Sequence, residues 1–181
     1  VADQLSAQLW GDHALGRPIL GTLESVAAFT RDLLVREFER RFRAADIVVV
    51  AVGGLEHAAL VDEVARWFKL PEGAVPARDV TPPPHVPSVH HEDNDLQQTY
   101  LSLGARGLAS PDEGRYALRV AETLLGGGMS SRLFQRIRED AGLAYFVSSS
   151  LDFMRDGGAV GIDLGVSPDK ARQALELLRD E

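Results

Sequence analysis

The chain has 181 residues, and its 27 Asp and Glu outnumber its 19 Lys and Arg for a formal net charge of −8. Nucleic-acid phosphates are bound by clustered cations, so this balance argues against a nucleic-acid partner, and the complete lack of cysteine excludes disulfides and thiolate metal sites. Hydrophobic content of 45% and charged content of 25% are ordinary for a globular domain with one sizeable core, and there is no run of about eighteen apolar residues to span a membrane.

Val1 to Trp10 has the apolar spacing of a helix. The following GDHALGRPILG carries three glycines and a proline and reads as a loop. His13 within it invites a metal reading, but no His, Asp or Glu accompanies it at a spacing such as i+4, and a loop histidine bonded to backbone is the alternative. Thr22 to Ala28 spells a short helix, and Thr30 offers an N-cap for a longer one through Phe42, with Leu34, Val35, Phe38 and Phe42 as its buried stripe. On the opposite side of that helix Arg36, Arg40, Arg41 and Arg43 interleave with Glu37 and Glu39 as a solvated face.

Asp46 to Val52 is a continuous apolar run that predicts a strand in the middle of a sheet. Gly53-Gly54 ends it. No G-x-G-x-x-G or G-K-[ST] surrounds the two glycines, so they read as a turn rather than a nucleotide loop. A helix from about Glu56 to Phe68 would bury Leu60, Val61, Val64, Ala65 and Phe68. Leu70 to Ser88 holds most of the prolines and favours an extended surface path. In His90-His91-Glu92-Asp93, neighbours on an extended segment point to opposite sides, which favours a solvated strand edge over a metal cluster.

Gln97 to Gly104 alternates as a strand, with Thr99, Leu101 and Leu103 on one face. Ser110-Pro111-Asp112-Glu113 combines a Ser N-cap, Pro at N1 and Glu at N3, predicting a helix start; Ala117, Val120, Ala121, Leu124 and Leu125 would face inward before Gly126 stops it. The next stretch, GGGMSSRLFQRIREDAGLAYFVSSS, organises the rest. A glycine hinge leads into an amphipathic helix over about Ser131 to Asp140, with Leu133, Phe134, Ile137 and Ala141 in one arc and Arg138 on its flank. Gly142 ends the helix and a strand begins near Tyr145. Two strands, Ala144 to Phe153 and Ala159 to Val166, flank an Asp-Gly-Gly hairpin turn, and Ser167-Pro168 caps a last helix through Leu178. The element order suits a two-layer α+β fold, helices on one face of a mixed or antiparallel sheet.

The motif GGGMSSRLFQRIREDAGLAY, together with GDHALGRPILGTLESVAAFT and DIVVVAVGGL, resembles the M16, or pitrilysin-like, zinc metallopeptidases. The resemblance runs along nearly the whole chain and implies that residues 1–181 are one C-terminal-type domain of such a protein, with residues 1–10 ending a helix from the preceding domain. It implies a two-layer α/β sandwich of the kind that family uses. It further implies zinc in the full-length enzyme, in an inverted H-x-x-E-H helix that does not occur in these residues, so that no zinc is expected within this chain and the segment alone is expected not to cleave peptides.

By resemblance, Arg138 and Tyr145 form a substrate-gripping and oxyanion-stabilising pair, and Gly126, Gly127 and Gly128 lie where related subunits carry a longer glycine loop implicated in substrate handling. Read by residue type alone, Arg138 is a surface ion-pair former, Tyr145 a strand aromatic, and the glycines a helix stop. The partners implied are peptide substrates, the preceding zinc-binding domain and a second M16 half or subunit. A bacterial cytoplasmic location is expected, with periplasm or mitochondrion as the other settings. The alternative is a zinc-free structural or partner subunit, akin to the core proteins of respiratory complexes. Retention of the Arg and Tyr favours the peptidase.

Overall fold

The structure, a computed structural model, describes residues 1–75, 81 and 84–181. They divide into two compact units, one made of Val1–Leu20 with Val80–Glu181 and the other of Gly21–Asp79.

The larger unit is built on an antiparallel sheet of three strands, β1 (Thr99–Gly107), β2 (Ala144–Phe153) and β3 (Gly158–Val166), in the order β1-β3-β2. The hairpin between β2 and β3 closes as its Asp-Gly sequence predicts, with the Met154 amide donating to the Gly157 carbonyl at 2.9 Å. Strand alternation divides the side chains. Leu101 and Leu103 on β1, Val147 on β2, and Ile162, Leu164 and Val166 on β3 share one face and meet Leu133, Ile137 and Ala174 from the helices above. Leu133, Ile137, Leu164 and Val166 are completely buried and form the centre of the core. This two-layer α+β arrangement is the one expected.

The first helix, α1 (Ala2–Trp10), lies against the other face of the sheet. Leu9 and Trp10 pack there on Ala159, and Leu5 rests on the bare backbone of Gly104, where a Cβ would come within 2.8 Å of its side chain. The guanidinium of Arg106 stacks 4.7 Å from the Trp10 ring centroid and donates to the Leu9 carbonyl, closing the end of the helix.

Two expectations about the helix before the motif are corrected. It is α2 in this unit (Arg115–Gly126), starting after Ser110-Pro111 rather than on it. The Ser110 amide is already taken by the Met154 carbonyl, and the Asp112 carboxylate caps the Gly114 amide instead. Its inner face is Leu118, Glu122, Leu125 and Gly126, while Ala117, Val120, Ala121 and Leu124 are exposed. The close seat of Gly126 on β2 sets this rotation: a Cβ there would stand 2.6 Å from the Ser149 amide nitrogen. The last helix, α3 (Ala171–Asp180), follows a 3-10 turn over Pro168–Lys170. Ser167 precedes that turn without lending it a side-chain hydrogen bond.

The smaller unit contains helices Leu23–Ala27, Arg31–Arg41 and His57–Trp67. Thr30 caps the second of these through its hydroxyl, as expected, and Thr22 caps the first in the same way rather than belonging to the helix. The strand expected over Asp46 to Val52 is not formed: Ala44–Asp46 is a 3-10 turn, and the residues after it have no ladder partner among the described residues. Val48, Val50 and Val52 are 85%, 79% and 96% exposed. The stripes expected to be buried, Leu34, Val35, Phe38 and Phe42 on one helix and Leu60, Val61, Val64, Ala65 and Phe68 on the other, are likewise not buried. Apolar periodicity records which side of an element is meant for a core, but a unit of this size with no paired strand covers little surface. The proline-rich stretch from Leu70 to Ser88 lies partly outside the described residues, and His90 to Asp93 is exposed chain rather than a strand edge.

Candidate functional site

The motif helix runs from Arg132 and widens into a π-helix over Phe134–Asp140. Its first bond, from the Gln135 amide to the Ser131 carbonyl, spans four residues, whereas the Ala141 amide reaches back five to Arg136. Leu133 and Ile137 anchor the helix in the core. Arg138 then emerges over Phe134, with its Cζ 4.7 Å from the ring centroid. Gly142, at φ +58°, turns the chain out of the helix in the left-handed conformation that favours glycine.

Tyr145 enters the strand as an extra residue. Ala144 pairs with Val166 and Phe146 with Gly165, so two residues of β2 advance against one of β3 and Tyr145 is the bulge. Without it, simple alternation would place Tyr145 on the same side as the buried Val147. The bulge turns it outward, 57% exposed, while Ala144 and Val147 both remain in the core.

Arg138 and Tyr145 thereby line one open cleft of about 320 Å³. Leu143 and Ala144, both buried, form its apolar floor. The segment after β3 closes the opposite side: the Tyr145 hydroxyl comes 3.4 Å from Ser167 Oγ, and Lys170 Nζ donates to the Gly142 carbonyl at 3.1 Å. Glu139 is the acidic residue of the lining. Neighbouring arginines on the same helix are engaged elsewhere, Arg132 and Arg136 both reaching Glu181. Among the described residues, Arg138 has no carboxylate partner. Its guanidinium and the Tyr145 phenol are hydrogen-bond donors suited to an oxygen that carries or gains negative charge.

The three glycines are not part of this lining. Gly126 and Gly127 are small for packing reasons, since a Cβ on either would stand under 3.0 Å from Ser149 or from the Thr123 backbone, whereas Gly128 faces open space. Neither Ser167 nor Lys170 carries a sequence signal that ties it to the motif. Ser167 reads only as a helix cap, and only the return of β3 along β2 brings it and Lys170 to the motif.

The residues that invite a metal reading do not converge. His13 Nδ1 accepts the Leu15 amide at 3.2 Å, as a loop histidine bonded to backbone would. Glu92 accepts a hydrogen bond from Gln4, and its carboxyl is held below the usual range first by a hydrogen bond from Asn94 and then by that one. Among the described residues no group of three or more His, Cys, Asp or Glu side chains is placed to hold a metal ion, so the residues present do not fit a zinc site. Among the same residues no helix is long and apolar enough to cross a membrane.

Helices on a three-stranded antiparallel sheet, with a cleft lined by Arg138 and Tyr145 at the bulged end of β2, define the chain as a two-layer α+β domain. The family model described as the peptidase M16 inactive domain matches residues 28–181. The chain belongs to the M16 peptidase family. It is similar to an uncharacterised zinc protease of Streptomyces coelicolor, 36% identical over 192 residues that take in 100% of this chain and 41% of that protein. A second uncharacterised zinc protease, from Mycobacterium tuberculosis H37Rv, is 38% identical over 99% of this chain and 42% of its own length. The crystal structure of an M16 inactive domain from Pseudomonas fluorescens superposes with a TM-score of 0.89 at 27% identity, covering 99% of this chain and 44% of that one. The chain thus spans less than half the length of these relatives.

Proposed function

We propose that the chain is the substrate-gripping, C-terminal-type domain of an M16 zinc endopeptidase, residues 1–181 acting together, with Arg138 and Tyr145 as hydrogen-bond donors to a substrate carbonyl oxygen. The observation that carries this reading is the cleft itself: a π-helix and a β-bulge bring two donors seven positions apart to one concave surface, and Arg138 there has no carboxylate partner among the described residues. Preorganised donors aimed at an oxygen that gains charge stabilise a transition state more than a ground state. Zinc belongs, on this reading, to the full-length protein outside this segment, as its similarity to zinc proteases supports.

The same reading gives the chain peptide substrates, a preceding zinc-binding domain and a second M16 half or subunit as partners, and a share in the wall of a closed chamber. Of the three glycines, Gly128 is the one with room to touch a bound peptide, and Gly126 and Gly127 act through it by setting where the hinge begins. A bacterial setting is supported by the bacterial relatives, and a cytoplasmic one within it belongs to the same reading.

The test is made on the full-length protein. Arg138→Ala and Tyr145→Phe are each expected to lower kcat/KM for peptide hydrolysis roughly ten- to two-hundredfold, the equivalent of about 1.5–3 kcal/mol for a hydrogen bond to a charged oxygen, with zinc content and melting temperature unchanged. Wild-type turnover in both variants would overturn the gripping role of this domain, whereas a wild-type protein with neither zinc nor turnover would favour the structural subunit.

A further inference from the structure

Two residues of the cleft lie outside the Arg138 and Tyr145 pair and come from a distant part of the chain. Lys170 ends the 3-10 turn after β3, half-buried, with its ammonium on the carbonyl of Gly142 at 3.1 Å. That carbonyl belongs to the residue that ends the π-helix between Arg138 and Tyr145, so the bond fixes the lysine head at the cleft wall. An ammonium has three N–H groups and this bond uses one. Among the described residues no carboxylate pairs with Lys170, and none pairs with Arg138.

The lining therefore holds two cations and one acid, Glu139, on a floor of buried Leu143 and Ala144. This local positive balance stands in a chain whose net charge is −8. A neutral backbone carbonyl is served by the arginine and the phenol. A neutral oxygen needs no further donor than these two, whereas a carboxylate carries charge and can accept from both cations at once, and the apolar floor makes each such bond stronger than it would be in open water. We infer that this cleft selects peptides that carry a carboxylate next to the gripped carbonyl, and that Lys170 is the residue that sets the selectivity; the inference rests on the reading that the cleft holds peptide substrate.

A carboxylate on a peptide comes either from an acidic side chain or from the free C-terminus, and the experiment separates the two. Short internally quenched peptides are made with Glu or Gln walked through each position, each as free acid and as C-terminal amide, and hydrolysed by the full-length protein. The expected result is a ratio of kcat/KM of about fivefold in favour of Glu over Gln at one position, or of acid over amide, a modest factor because the cations are partly solvated. The ratio should shrink as salt is raised.

In Lys170→Met the ratio should fall towards one through KM, and Lys170→Arg should restore it. Equal rates for Glu and Gln at every position and for acid and amide, in the wild type, would overturn the inference without any variant. A Lys170→Met protein that keeps the full ratio would overturn the assignment of the selectivity to Lys170. Should Lys170→Met fail to fold, the wild-type peptide series and Lys170→Arg still decide. Failure of the parent reading looks different: Arg138→Ala and Tyr145→Phe would then turn over every peptide at the wild-type rate. Impaired turnover in those two variants with an unaltered ratio in Lys170→Met sinks the Lys170 assignment alone.

Discussion

Arg138 rests on the face of Phe134, its guanidinium carbon 4.7 Å from the ring centroid, and Phe134 in turn packs against the buried core of the sheet. A flexible arginine is thereby given a surface that restricts it to the cleft. The contact is worth about 0.5–1 kcal/mol at a partly exposed site. If Arg138 grips substrate, Phe134→Leu should lower kcat/KM about two- to fivefold by loosening that arginine. Melting temperature measured on the same preparation separates this from a loss of packing, and unchanged kinetics would show that the ring does not position the guanidinium.

Gly126 and Gly128 make a controlled pair. A Cβ at Gly126 meets the Ser149 amide nitrogen at 2.6 Å, a backbone atom that cannot swing aside as the Ser149 hydroxyl at the same distance could, so the helix and strand must separate. Gly126→Ala should destabilise the fold by about 1–3 kcal/mol, the usual range for overpacking. Gly128 has no atom within 4 Å of the same probe and no positive φ. Gly128→Ala should be neutral or stabilise by about 0.4–1 kcal/mol through the unfolded chain. Urea denaturation of the two variants checks the contrast.

Glu122 is 7% exposed and reaches Ser149 Oγ at 2.8 Å, a carboxylate bonded across from helix to strand. Among the described residues its other oxygen has only Arg119 at 3.4 Å, a long contact. Removing the hydroxyl leaves a buried acceptor without its best donor, so Ser149→Ala should cost about 1.5–3 kcal/mol. Glu122→Gln keeps an acceptor for the hydroxyl and should cost less. A larger loss in Glu122→Gln than in Ser149→Ala would mean that the charge itself, not the hydrogen bond, matters.

Glu37 gives a pH dependence whose sign is fixed. Hydrogen bonds from Arg40 and then Arg41 lower its carboxyl from the usual 4.5 to about 2. The folded state therefore binds fewer protons than the unfolded state between those values, and this contribution to stability is present above pH 4.5 and is lost as pH falls towards 2. The pair is solvent-exposed, so salt should weaken it. Carbonyl-carbon NMR of Glu37 should give a midpoint well below an ordinary glutamate, returning upward in Arg40→Ala. A midpoint near 4.5 in the wild type would rule the pairing out.

Much of the larger unit can be read along the chain. Leu133 and Ile137 recur at helical spacing, Gly142 supplies a left-handed stop, and Asp156-Gly157 marks the hairpin; each is a local property, set by side-chain shape and backbone freedom within a few residues. The caps at Thr22 and Thr30 are local in the same way. The strand expected over Asp46 to Val52 fails for the complementary reason: a strand exists only where another strand offers its hydrogen bonds, and a β-branched apolar run carries no record of its partner.

The chain's own order of residues settles that an amphipathic helix, a glycine turn and a strand follow one another, and that Arg138 and Tyr145 stand at their two ends. It does not settle that they meet. Simple alternation from Val147 would have turned Tyr145 into the core, and a regular helix would have aimed Arg138 differently. The bulge at Tyr145 and the widening of the helix both arise because Ala144, Val147, Leu133 and Ile137 must all be buried against β3 at once, and inserting one residue in the strand and one in the helical turn is how the backbone reconciles those demands. Ser167 and Lys170 reach the cleft only because β3 pairs antiparallel with β2, which returns the chain to Ala144 at Val166. Contacts across that distance are fixed by register and packing, and neither is written in the spacing of residues along one segment.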